Sequence, residues 1–122
     1  MFDLTAEEAR LLLNVALMAT GANRFQSAGK ILAVLEAFRP AAPSVAVGKA
    51  ILLISARQFS LCVDYVDGEA LPRFPENAML LAFKGMALKR LGRDRDADEV
   101  LRKASEQNED PAAAQLAKGL MS

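Results

Sequence analysis

Small and larger apolar residues recur along this chain at helical spacing, and the whole pattern repeats itself. In each repeat a small residue is followed four positions later by a larger apolar one: Ala28 and Leu32, Cys62 and Val66, Ala97 and Leu101. A second small position recurs upstream at the same shifts of 34 and 35 residues: Ala16, Ala50 and Gly85. A period of this length is typical of stacked supersecondary units, so the pattern predicts three helix-turn-helix pairs in register.

Packing explains why these residue types recur. Small residues let the two helices of a pair approach closely, and the larger apolar residues fill the space between successive pairs. A single pair is too thin to bury its own apolar face, so three pairs are about the minimum for a stable stack, and its ends need caps. We predict repeats at about 9–42, 43–77 and 78–111.

Local signals predict where the first and last helices begin. Thr5 with Glu8 three residues later forms a capping box, which starts a helix that runs to about Ala19. Asp110 followed by Pro111 is typical of a helix start and opens a capping helix at about 111–121. Two leucines share one face of that capping helix, Leu116 and Leu120.

Two proline-containing segments are predicted to interrupt the helices. Residues 40–44 read as a stiff linker that opens the second pair. Asp67 and Gly68, with Pro72 and Pro75 after them, predict that the preceding helix stops early and is followed by a loop over 73–77.

The repeat resembles the tetratricopeptide repeat, a 34-residue helix-turn-helix with Leu-Gly-x-x-Tyr in its first helix and Ala-x-x-x-Phe in its second. The third unit matches best: it has Gly85-x-x-Leu88, then Gly92 at the turn, then Ala97-x-x-x-Leu101. The resemblance covers about residues 9–111. It implies an all-α fold in which three helix-turn-helix pairs form a right-handed solenoid with a C-terminal capping helix, as a single domain over 1–122.

Composition narrows the function classes. The 122 residues suit one domain, and 15 basic side chains balance 15 acidic ones, so no long-range field attracts nucleic acid. No apolar run reaches the length of a membrane span, and residues 1–10 lack the layout of a secretory signal. We expect a cytoplasmic protein that neither binds nucleic acid nor inserts into a membrane.

The chemistry of catalysis is poorly represented. The chain has no histidine, which is the commonest general base and metal ligand. Cys62 stands where the repeat requires a small buried residue, so a structural role is favoured over that of a nucleophile. Asp64, Asp67 and Glu69 lack the spacing of a calcium loop and read as a solvated turn. We predict no catalytic residue, metal or cofactor, and no enzyme activity.

A partner surface is the remaining candidate for function. In a tetratricopeptide solenoid the first helix of each pair lines a concave face. The residues predicted to lie on the concave face of this chain are apolar: Leu13, Leu17, Val47, Ile51, Ile54, Met79, Ala82, Phe83 and Met86. Two basic residues, Lys89 and Arg90, are predicted at one lip of that face. Such a groove favours an amphipathic helix with an acidic group near its basic lip. The alternative is that several of these residues pack in the core.

A known tetratricopeptide binding mode does not match. Co-chaperones that grip acidic C-terminal tails use lysine, arginine and asparagine on the inner face, where this chain has mostly leucine, methionine and phenylalanine. Asn14 alone is compatible with that mode.

In size and layout the chain resembles the short needle-subunit chaperones of bacterial type III secretion. The resemblance implies a groove that clasps the C-terminal helix of a secreted, polymerising needle protein, and a second small helical protein that binds the chaperone. Alternatives are an adaptor or scaffold of another bacterial assembly, a translocator chaperone, or a homo-oligomer whose unliganded groove accepts residues 1–5 of another copy.

Overall fold

The computed structural model describes residues 4–107 and 109–121 of the protein, and in that part of the chain all regular elements are helical. The elements are α1 (Ala6–Gly21), α2 (Phe25–Phe38), α3 (Pro43–Ser55), α4 (Phe59–Tyr65), α5 (Leu71–Arg73), α6 (Ala78–Arg90), α7 (Asp94–Ser105) and α8 (Pro111–Met121). A π-helical segment, Val66–Ala70, joins α4 to α5. The prediction of an all-α fold is confirmed.

The helices form two compact units, Met1–Arg57 and Gln58–Ser122. In the first unit α1, α2 and α3 pack against one another. In the second unit α6 packs against α4, α7 and α8, and α7 also packs against α8. The boundary between the units falls inside the second predicted repeat, between α3 and α4. A single domain and a right-handed solenoid stay predictions.

The predicted helix starts are confirmed at both ends of the chain. Thr5 Oγ1 accepts a hydrogen bond from the Glu8 backbone N–H at 3.1 Å, and the Thr5 N–H donates to Glu8 Oε1 at 3.0 Å. The bond donated by the Thr5 N–H favours the charged carboxylate and holds the pKa of Glu8 below its ordinary value. Asp110 Oδ1 likewise accepts from the Ala113 N–H at 3.1 Å, at the start of α8.

The core contains the residues that define the sequence repeat. All six small positions are buried: Ala16, Ala28, Ala50, Cys62, Gly85 and Ala97. The three larger apolar positions are buried with them: Leu32, Val66 and Leu101. In the capping helix Ala113 and Ala117 are buried, whereas Leu116 and Leu120 are only partly so. Small residues on that face allow α8 to lie close to α6 and α7.

Three turns share one backbone conformation. Each turn contains one residue with positive φ: Asn23 at 63°, Arg57 at 60° and Gly92 at 79°. These three residues are separated by the same 34 and 35 residues as the core positions. The residue after each of them has φ between −94° and −93° and ψ between 64° and 66° and precedes the next helix. Glycine and asparagine adopt this left-handed conformation most readily, so Gly92 and Asn23 suit it, whereas Arg57 does not.

The helix after Phe59 does not stop at Asp67 and Gly68, which corrects the prediction. It continues through the π-helical segment and α5 to Arg73. Pro72 has no N–H to donate to the carbonyl four residues earlier. A wider π-helical turn precedes it, in which the Leu71 N–H bonds to Val66 O, five residues back. The loop that follows is limited to residues 74–77.

Candidate functional site

The predicted surface residues of the first unit lie on α1 and α3, and one of them is partly buried against the core. Leu13 packs against the buried cluster that includes Leu32 and Leu35. A Cβ on Gly48 of α3 would come within 3.1 Å of Leu13 Cδ1, so the leucine covers the bare backbone of that glycine. For Leu13 the structure therefore favours core packing, the alternative weighed for these residues.

Like Leu13, the other predicted residues of the first unit keep part of their surface exposed. Leu17 lies one helical turn after Leu13 on α1 and is half-buried. Val47, Ile51 and Ile54 are also half-buried, and their spacing of four and three residues places them along one face of α3. This unit thus retains a row of apolar side chains on α3 that its own core does not fully cover.

The predicted residues of the second unit form a similar row on α6. Met79, Phe83 and Met86 are half-buried, and Arg90 continues the row as an exposed residue one turn later. Ala82 is the exception, because its exposed fraction is 0%. It faces the core together with Ala78 and Gly85, so the prediction that Ala82 contacts a partner is wrong.

One position of the row is equivalent in all three repeats. Leu17, Ile51 and Met86 are related by the shifts of 34 and 35 residues, and each is an apolar side chain with part of its surface exposed. The small residue one position before each of them, Ala16, Ala50 or Gly85, is buried. The repeat therefore specifies both a buried position and an adjacent half-exposed apolar one.

The two basic residues predicted at one lip differ in their surroundings. Lys89 Nζ lies 4.0 Å from Asp98 Oδ1 of α7, so part of its charge is compensated within the second unit. Arg90 is exposed on α6 next to the row of apolar residues. An acidic group of a partner would therefore meet a stronger positive charge at Arg90 than at Lys89.

A hollow of about 280 Å³ in the second unit has a different, charged lining that sequence reasoning missed. Lys84 Nζ lies 2.7 Å from Asp67 Oδ1, and Arg93 Nη2 lies 2.8 Å from Asp96 Oδ2. The Lys84–Asp67 pair joins α6 to the π-helical segment. Because basic and acidic groups pair with each other, this hollow presents no net charge that would select an ionic ligand.

A second missed feature is a row of exposed apolar side chains on α1. Leu11, Val15 and Met18 have exposed fractions of 62%, 49% and 73%. They are spaced four and three residues apart and so share one face of the helix. The spacing is visible in the sequence, but α1 carries apolar residues nearly all round, so periodicity alone does not separate its core face from its outer face.

Cys62 has the environment of a structural thiol. Its side chain is completely buried, and desolvation raises its pKa to about 11. A thiol with this pKa is protonated at neutral pH and is a poor nucleophile. Among the residues that the structure describes, no group of cysteine, aspartate and glutamate side chains is arranged to hold a metal ion.

Within residues 4–107 and 109–121, no helix combines the length and the apolar character needed to cross a membrane. Comparison with known protein families, curated proteins and solved structures gives no match for this chain. The assignment of function accordingly rests on the chemistry of the surface residues.

Proposed function

We propose that this protein binds an amphipathic helix of a secreted, polymerising subunit of the needle-protein kind and keeps that subunit monomeric in the cytoplasm before secretion. The observation that supports the proposal is the equivalent half-exposed position occupied by Leu17, Ile51 and Met86. A repeat that buries its small residues and leaves an apolar residue beside them partly exposed provides binding surface in each unit.

The spacing of the exposed side chains favours a helical partner. Met79, Phe83 and Met86 form a row along α6, and an amphipathic helix presents its own apolar side chains at the same intervals. Methionine side chains adapt to the shape of an inserted residue. Arg90 would contact an acidic side chain at the edge of the partner's apolar face.

The resemblance to short needle-subunit chaperones supplies the class of partner. A polymerising subunit carries a helix that is buried in the assembled polymer and exposed in the monomer. Covering this helix prevents premature assembly, because the apolar surface is no longer available to other subunits. We propose a binding function without catalysis, in which no cofactor takes part and a second small helical protein is a further partner.

Co-expression with a needle-type subunit tests the proposal. The wild-type chain is expected to yield a soluble complex, and Phe83→Glu is expected to abolish it, because a charge would be buried against the partner's apolar face. Phe38→Glu on α2 is the matched control: Phe38 is 40% exposed and lies outside the proposed contacts, so this variant should still bind. Circular dichroism of both variants checks that they are folded.

A more conservative substitution tests the same surface if Phe83→Glu unfolds the second unit. Met86→Ala removes a half-exposed apolar side chain without adding charge and is expected to weaken binding by roughly tenfold. Normal binding by folded Phe83→Glu and by Met86→Ala together would overturn the proposal. Isolation of the chain from its native cells, followed by identification of the bound protein, distinguishes a secreted helical subunit from the partner of an adaptor.

A further inference from the structure

A hollow of about 320 Å³ lies in the first unit, between α1 and the start of α3. Its apolar lining includes Ala9 and Leu13 of α1 and Val45 of α3. Val45 belongs to the buried core, whereas Ala9 and Leu13 pack against that core and are only partly buried. The hollow therefore leaves apolar surface open to solvent, and a ligand that covers this surface gains hydrophobic free energy.

Two arginines line the same hollow. Arg10 is exposed on α1, and Arg39, which follows α2, is partly buried. Arg39 Nη1 donates a hydrogen bond to Leu4 O at 3.1 Å, and because Leu4 is buried, this bond fixes the guanidinium in position. A guanidinium has several N–H groups in a planar fork, so Arg39 keeps donors for a second acceptor.

The positive charge of this hollow is not compensated within the part of the chain that the structure describes. There, neither Arg10 nor Arg39 forms an ion pair, and no acidic side chain lines the hollow. Ser44, in the first turn of α3, also lines it, and the positive end of the α3 dipole adds to the potential. This arginine hollow thus differs from the hollow beside Lys84, where basic and acidic groups pair with each other.

We propose that the arginine hollow is a docking site for a protein partner, which inserts an acidic side chain and an apolar side chain next to it. The carboxylate accepts charge-assisted hydrogen bonds from Arg10 and Arg39, and the Ser44 hydroxyl is a further donor. The apolar side chain covers Leu13 and Val45. Charge complementarity selects the acid, and the apolar lining selects its neighbour.

The exposure of the lining residues favours a protein over a free small molecule. Sites for small molecules enclose most of the surface of their ligand. Arg10 and Ser44 are exposed, and Ala9 and Leu13 are partly so, which would leave much of a free organic acid in water. A protein partner buries further area around the hollow. The site lies in the first unit and does not depend on the row of apolar residues on α6.

A peptide titration followed by NMR tests the site. The probe is a short blocked peptide with one glutamate between two leucines, and the control peptide has glutamine in place of the glutamate. At millimolar concentrations the glutamate peptide should shift the Nε–Hε signals of Arg10 and Arg39 and the amide signal of Ser44. The glutamine peptide should bind roughly tenfold more weakly, because it forms no charge-assisted bond. Equal affinity for the two peptides, or no shift with either, would overturn the proposal.

Substitution of Arg10 shows whether the peptide binds in the hollow. Arg10→Gln is expected to weaken binding of the glutamate peptide roughly tenfold, whereas Arg10→Lys should retain part of the affinity. Arg24→Gln is the matched control: it removes the same charge from another exposed arginine of the first unit, one that does not line the hollow. Circular dichroism checks that the variants are folded. Equal affinities of Arg10→Gln and Arg24→Gln would contradict the site.

Two further measurements separate other occupants of the hollow. Isovalerate, a free acid with a branched apolar end, should bind more weakly than the glutamate peptide, and equal affinity would assign the hollow to small carboxylates. Peptide binding by Asp3→Asn but not by the wild type would assign it to residues 1–3 of the chain itself. Either result would overturn docking of a protein partner.

The two proposed binding sites can be tested separately. Phe83→Glu, which is expected to abolish the complex with the needle-type subunit, should bind the glutamate peptide with unchanged affinity. Arg10→Gln should retain the complex with the needle-type subunit. Loss of both activities in either folded variant would show that the arginine hollow is not a separate site.

Discussion

Leu101 of α7 lies directly against the backbone of Gly85 in α6, so close that a Cβ on Gly85 would overlap the leucine side chain. Because Gly85 has no side chain, Leu101 packs directly on the backbone of α6. Both residues are buried. The same two positions stand out in the repeat, one as a small residue and the other as a larger apolar one.

Gly85→Ala is therefore expected to lower the free energy of unfolding by about 1–3 kcal/mol, because Leu101 must move or leave its rotamer. Urea denaturation measures the change. Gly119→Ala on α8 is the matched control: a Cβ there meets nothing within 4 Å, so the better helix propensity of alanine should raise stability by up to about 1 kcal/mol. An increase in stability for Gly85→Ala would contradict the close approach.

The left-handed turn residues should respond to substitution in opposite directions. Arg57 has φ of 60° and carries a side chain in a conformation that glycine adopts more easily. Arg57→Gly is expected to raise the free energy of unfolding by about 0.5–1 kcal/mol, whereas Gly92→Ala, at φ of 79°, should lower it by about 1 kcal/mol. Thermal unfolding of the two variants measures both changes. A loss of stability in Arg57→Gly would indicate that its side chain makes a contact worth more than the strain.

Cys62 should make the fold sensitive to alkaline pH. The unfolded thiol loses its proton near its ordinary pKa of 9.0, whereas burial keeps the folded thiol protonated up to about pH 11. Between these values the unfolded state binds fewer protons, so stability falls as pH rises. We expect a loss of about 2 kcal/mol across this window, measured by urea denaturation at fixed pH.

Cys62→Ala is the control for this pH dependence, because it removes the titrating group and leaves the lysines and the tyrosine in place. The variant should lose less stability between pH 9 and 11 than the wild type does. Equal losses would assign the effect to other groups. A thiol reagent at pH 8 should also modify Cys62 only as fast as the second unit opens, since the side chain is completely buried.

The capping box should control the start of α1. Thr5→Ala removes the bond to the Glu8 N–H and is expected to cost about 1 kcal/mol, while Thr5→Ser should retain most of the stability. The lowered pKa of Glu8 implies that the reciprocal bond contributes above the ordinary pKa of the carboxyl and is lost as pH falls through its lowered value. Hydrogen exchange of the first turn of α1 reports both effects. Equal exchange in the alanine and serine variants would exclude this role for the hydroxyl.

Much of the secondary structure could be predicted because its causes are local. Thr5 with Glu8, and Asp110 with Pro111, satisfy backbone N–H groups within a few residues, and the structure contains both caps. Residues 66–73 could not be predicted in this way, because their helical path is accompanied by the contact of Asp67 with Lys84 of α6. Composition alone, with Gly68 and Pro72, favours a break there.

Hydrophobic periodicity does not predict which apolar residues of α1 and α6 are exposed and which are buried. Leu11, Leu13, Val15, Leu17 and Met18 surround α1, so a helical wheel offers more than one apolar face. Leu13 lies close to Gly48 of α3 and packs against the core, whereas Leu11, Val15 and Met18 stay exposed. On α6, the burial of Ala82 beside the half-exposed Phe83 has the same cause, since both residues are apolar and only packing distinguishes their faces.

By itself, the sequence determined an all-helical chain, the caps of its first and last helices and the repeated small and large positions of its core. These features follow from hydrogen bonds and side-chain sizes that act over a few residues or recur at a constant interval. Only the tertiary structure decided that Leu13 packs against the core and Ala82 is buried. It also decided that Leu11, Val15 and Met18 are exposed, and that the helix continues past Asp67. Those outcomes depend on which neighbouring helix covers a given face, and residues distant in the sequence supply that neighbour.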